Sequence, residues 1–160
     1  MNEQGHQESG SGIQGVAVQP LRRICDERGA ILHMLRADSP LFERFGEVYF
    51  AQCYPGVVKG WHKHKRMTQN YAVVHGMIKL VLFDMREDSP SKGTLEEHFV
   101  GEDNYCLVRI PPGVVSGYKA YGTKPALVCN CADLMHEADE MERFDPAGDA
   151  VPYDWRLVHR

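Results

Sequence analysis

A chain of 160 residues with 43% apolar residues is sized for one domain with its own hydrophobic core, which argues against a second domain. Its formal charge of -4 and its lack of any Lys/Arg block exclude a nucleic-acid surface, which needs clustered cations to displace counterions from phosphates, but leave small anionic ligands open. No apolar run approaches the roughly 20 residues that cross a bilayer and no charged-then-apolar leader opens the chain, so a soluble, cytoplasmic protein with no membrane contact is expected.

Residues 1–15, "MNEQGHQESGSGIQG", have almost nothing to bury and are expected to form a disordered tail ahead of a single domain over 16–160. After the tail, short apolar or alternating segments follow in order: "AILHML", "GEVYFAQCY", the run "GVVKGWHKHK", "QNYAVV", "MIKLVLFD", "LEEHFV", "YCLVRI", "VVSGYKAY" and "ALVCNC". Turn residues separate them at intervals of roughly 8 to 12 residues, the rhythm of an all-β sandwich or barrel. "SPLFERF" and, near the C-terminus, "HEADEMERF" read as short helical segments. The five cysteines are odd in number and form no C-x-x-C pair, as expected of reduced thiols. Cys129 and Cys131, two apart, are expected to share one face of a strand.

His62 and His64 stand one residue apart within a strand-like run, and residues i and i+2 of a strand project to the same side. If that side is the interior, two imidazoles enter one cavity. The spacing Gly56, five residues, His62-x-His64, four residues, Gln69, six residues, Gly76 resembles the first signature of the cupin barrels. "PPGVVSG", Pro111 to Gly117, resembles the second, with Ser116 where that signature has histidine. This resemblance implies an all-β cupin jelly roll. A stable divalent site wants three or four ligands of suitable hardness, and Ser116 and Gln69 are poor replacements for imidazole and carboxylate, so no metal and no other cofactor is expected.

Further motifs narrow the resemblance. "DERG" (Asp26 to Gly29), "GEVYFAQCYPGVVKGWHKHK", "REDSPSKG" (Arg86 to Gly93), "LVRIPPGVVSGYKAYGTKPA" and "VPYDW" (Val151 to Trp155) resemble, in order, the dTDP-4-dehydrorhamnose 3,5-epimerase family. That resemblance implies a homodimeric enzyme that binds a nucleotide-linked 4-keto-6-deoxysugar and inverts a carbon beside the ketone. Such chemistry needs a base for the weakly acidic C–H, a donor for the enolate oxygen and an acid on the opposite face. The family base matches His62, in Lys59-Gly60-Trp61-His62, with a pKa near 6.5 that suits proton exchange at neutral pH. Arg28 falls on the family's phosphate-binding arginine and Lys59 on another arginine, while His64, Gln69, Ser116 and Asn130 are expected to line the site.

The chain also departs from the family pattern. Gln69 stands where the family has the lysine that stabilises the enolate, Asn130 where it has the acid tyrosine, and the aspartate that orients the histidine lies in a C-terminal extension without a counterpart here. Tyr118 is the candidate replacement acid, ahead of Tyr121, Tyr71 and Lys79, and Asp84 is a candidate to support the histidine. The "WHKHK" segment with Gln69 also resembles the sugar-nucleotide 3,4-ketoisomerases. Besides that activity, a sugar-nucleotide-binding cupin without catalysis and a metal-dependent cupin using His62 and His64 are the alternatives.

Overall fold

The computed structural model describes residues 12–159, and among them every regular element is a strand. Twelve follow in chain order: β1 (Ala17–Pro20), β2 (Arg23–Asp26), β3 (Gly29–Leu32), β4 (Glu47–Cys53), β5 (Val58–His64), β6 (Gln69–His75), β7 (Met77–Asp84), β8 (Leu95–Gly101), β9 (Cys106–Ile110), β10 (Val114–Tyr121), β11 (Ala126–Ala132) and β12 (Met141–Arg143). One antiparallel sheet has the order β1-β9-β6-β11-β4, the other β12-β5-β10-β7-β8, and β2 pairs with β3 as a separate hairpin. This is the expected jelly roll.

The interior between the sheets is filled by residues at alternate strand positions, among them Val73, Ile78, Leu80, Leu82, Val108, Ile110 and Ala120. Ile13 joins this core, so packing begins before residue 16, whereas 1–11 lie outside the described residues. The second sheet is buried on its outer face too. Trp61, Val81, Val115 and Val151 are buried there, with Phe83, Phe144, Tyr153 and Trp155 packed against them. Burial on both faces explains why "MIKLVLFD" reads as a continuous apolar run instead of an alternating one.

Both helical expectations are overturned. "SPLFERF" makes two successive turns, closed by Ser39 N–H to the Arg36 carbonyl and Phe42 N–H to the Ser39 carbonyl, each 3.0 Å. In "HEADEMERF" the free edge of β5 supplies partners that an isolated short helix would lack. Met141, Glu142 and Arg143 pair with His64, Lys63 and His62, and Phe144 and Trp61 exchange two further backbone bonds of 3.0 Å.

Candidate active site

A break in strand parity arranges the wall that carries the histidines. On β10, Ser116 pairs with His62 and Tyr118 with Lys59, so Gly60 and Trp61 together stand opposite the single residue Gly117. Such a bulge costs one step of alternation. Lys59 and His62, three residues apart, therefore both face the interior, with His64 beside them, while Trp61 turns outward. Only glycine fits the pinch: a Cβ on Gly60 would lie 2.8 Å from the Gly117 Cα, and one on Gly117 would lie 2.6 Å from the Trp61 ring.

Lys59, His62 and His64 line a cavity of about 430 Å³ within the barrel, a volume suited to a small organic ligand. The two imidazoles have opposite surroundings. The His62 side chain makes no hydrogen bond among the described residues; burial, with the positive charges of Arg143, His64 and Lys59, pushes its pKa below the ordinary value. His64 is 6% exposed and its Nδ1 lies 2.5 Å from Oε2 of Glu140, which is 1% exposed. The other carboxylate oxygen, Oε1, accepts the backbone N–H groups of Arg66 (2.7 Å) and Met67 (2.8 Å). Burial works against the charge on Glu140, yet these amides and His64 hold its carboxyl below the usual range.

The facing wall comes from the other sheet. The Gln69 amide donates to the Tyr71 hydroxyl at 3.0 Å, and Ser116 also bonds that hydroxyl. Tyr118 meets Tyr71 edge-on, with centroids 6.1 Å apart. Burial pushes both phenols well above their ordinary pKa. Asn130 accepts the Asn70 N–H at 3.2 Å and donates through Nδ2 to the Tyr49 hydroxyl at 3.0 Å. Tyr49 is the cross-strand partner of Asn130 on β4 and lines the cavity. A phenol thus stands one strand away from the position where the resemblance places a tyrosine.

The structure gathers His62, His64, Lys59, Gln69, Tyr118 and Asn130 around one cavity, with Ser116 bonded to its wall. It separates two candidates from it. Arg28 sits on the β2–β3 hairpin, 85% exposed and paired with Asp26, because that hairpin is hydrogen-bonded to neither large sheet. Asp84 does not line the cavity. It is fully buried and receives Arg86 Nε (2.8 Å), Ser89 Oγ (2.6 Å) and Ser91 Oγ (2.7 Å), organising the loop after β7. Burial alone would raise its pKa, but these partners hold it well below the carboxylate range. Asp84→Asn is accordingly expected to cost about 2–3 kcal/mol in urea unfolding while kcat stays unchanged. Lys79 lies over the Tyr153 and Trp155 rings on the outer face, and Tyr121 packs edge-on against Phe99.

Sequence reasoning missed Glu140, Arg143 and Tyr49. The first two lie in the segment read with helical periodicity, although Met141 and Arg143 alternate inward with Glu142 outward, where it pairs with Lys63 at 2.9 Å. Tyr49 was masked by its neighbours: Val48 and Phe50 are the apolar members of β4, yet they are 50% and 62% exposed, so the polar alternation points inward. Among the described residues no group of three or more His, Cys, Asp or Glu side chains is placed to hold a metal ion.

The model of the family described as dTDP-4-dehydrorhamnose 3,5-epimerase matches residues 11–159. The chain belongs to this family. Among relatives of this dTDP-4-dehydrorhamnose 3,5-epimerase family member, the spore coat polysaccharide biosynthesis protein SpsL of Bacillus subtilis is 34% identical over 150 residues, covering 92% of this chain and 99% of SpsL. The probable low-salt glycan biosynthesis epimerase Agl13 of Haloferax volcanii is also 34% identical, covering 89% of each chain. The crystal structure of a dTDP sugar isomerase from Desulfovibrio desulfuricans superposes with a TM-score of 0.88 at 46% identity, covering 89% of this chain and 92% of that one. The family match sides with the epimerase resemblance over the ketoisomerase one.

Proposed function

We propose that the chain inverts a carbon beside the ketone of a nucleotide-linked 4-keto-6-deoxysugar, a dTDP-sugar by analogy with its relatives. One observation carries the reading: His62, whose pKa burial and neighbouring cations lower, and a phenol, Tyr49 of the other sheet, line one cavity of ligand size. His62 takes the proton from the carbon as the C–H electron pair moves into the enolate, and Tyr49 returns a proton to the opposite face. The Asn130 amide bonded to the Tyr49 oxygen supports the phenolate this leaves. Solvent then resets both groups. Lys59 and Arg143 supply positive charge for the pyrophosphate. Incubation with dTDP-4-keto-6-deoxyglucose in heavy water should place deuterium at C3 or C5. Binding without exchange would instead mark a cupin that has lost its chemistry.

Acidity should affect this reaction in a defined direction. Because its pKa is lowered, His62 stays a free base below its ordinary value near 6.5, and the acid limb of kcat/KM is expected below that pH. Arg143→Ala removes a cation that disfavours protonation, so the limb should move to higher pH. A limb unmoved by the substitution would count against His62 as the titrating base.

We further propose a cytoplasmic homodimer. All five cysteines are free thiols, as in a reducing compartment. The free edge strand β4 exposes Val48 and Phe50, and the hairpin exposes Ile24 and Ile31, apolar surface that a second copy would cover. In that assembly Arg28 serves phosphates only across the pair. Light scattering at the mass of one chain, with full activity, would refute the dimer.

A further inference from the structure

Two histidines on one strand wall would ordinarily be interchangeable, but these are not. The His62 ring stands among cations without a hydrogen bond among the described residues, while His64 is seated on a buried carboxylate. Two imidazoles with such different partners are suited to different parts in a proton transfer. Glu140 is also well built for a fixed counter-charge: two backbone amides and the imidazole occupy its oxygens, so it keeps its geometry whether the ring is singly or doubly protonated. With Nδ1 committed to Glu140, the proton that His64 can exchange is on Nε2, which has no protein partner among the described residues.

Lys59 and Tyr49 also carry exchangeable protons on this cavity, but among the described residues no donor of its wall other than His64 is seated on a buried carboxylate. Gln69 and Asn130 carry no acidic proton, Ser116 and Gln69 are spent on Tyr71, and the buried phenols of Tyr71 and Tyr118 resist ionisation. His62 and His64 lie two residues apart on the same strand, about 7 Å along the wall. Both rings line the same cavity, so a substrate that presents a carbon to His62 lies along the wall that also carries His64.

We propose that His64, held by Glu140, is the general acid toward the substrate's carbonyl oxygen. As His62 removes the carbon-bound proton, the C–H pair forms the carbon–carbon double bond and the carbonyl π pair moves to oxygen. His64 passes its Nε2 proton to that oxygen, leaving an enol, and remains a neutral ring with Nδ1–H on Glu140. When the carbon is reprotonated from the opposite wall, the enol proton returns to His64. Glu140 is a positioning residue: it sets the tautomer and balances the charge of the doubly protonated ring, as a buried carboxylate does in a hydrolytic triad.

The proposal rests on the epimerase reading, and its test separates the two. His64→Gln keeps an amide that can donate to Glu140, so the cradle at Arg66 and Met67 is preserved; His64→Asn is the second variant should the first not fold. The expected result is a fall in kcat and in deuterium exchange of about 100-fold, with KM, dTDP affinity by calorimetry and melting temperature near wild type. Glu140→Gln should lower kcat as well, and the double variant should be no slower than His64→Gln alone, a non-additivity that a merely structural Glu140 would not give. A folded His64 variant exchanging at the wild-type rate, or additive losses, overturns the proposal and leaves the epimerase reading intact. No exchange by the wild-type chain overturns both.

Discussion

His62→Asn should bind dTDP with nearly wild-type affinity yet epimerise about 100 to 10,000 times more slowly, the range that a lost general base accounts for. The side chain is half-buried and makes no hydrogen bond among the described residues, so asparagine neither opens a large cavity nor strands a buried partner. The loss should therefore fall on kcat, with deuterium wash-in at the sugar carbon reduced in parallel and the melting temperature little changed. Wash-in at the wild-type rate would place the base elsewhere on the cavity wall.

Trp61→Ala is expected to have the largest effect on stability, about 3–5 kcal/mol in urea unfolding, as for other buried tryptophans cut to alanine. Trp61 has no exposed surface; it meets Trp155 at 4.8 Å and Tyr153 at 6.0 Å between ring centroids, and Gly117 is cleared to admit it. Trp61→Phe should cost much less, because the buried indole N–H has no hydrogen-bond partner and its removal strands nothing. Equal losses for the two variants would show that ring burial is not what holds the C-terminal segment down.

The barrel was legible because its strands are short, apolar and punctuated, and because motif spacing placed His62, His64 and Gln69 on strands that line one cavity. Long-range pairing was not. β12 forms because β5 has an open edge, a fact of topology that the local pattern of "HEADEMERF" does not carry, and with it Glu140 and Arg143 stayed hidden. The bulge at Gly60 and Trp61 was equally invisible: strict alternation would have turned Lys59 away from His62. Asp84 was a candidate to support the histidine, but Arg86, Ser89 and Ser91 occupy its carboxylate. On β4 the apolar residues Val48 and Phe50 are exposed, so hydrophobicity alone does not mark the side of that strand on which Tyr49 lines the cavity.

Trp61 and His62 are consecutive residues that look in opposite directions, so a single peptide separates the aromatic clasp outside the sheet from the proposed base inside it. Tyr153 and Trp155, which pack on Trp61, therefore bear on the peptide that leads to His62 without themselves lining the cavity. The exterior of the sheet is thus tied to the lining of the chamber by one strand, and variation there reaches the wall while the wall keeps its composition.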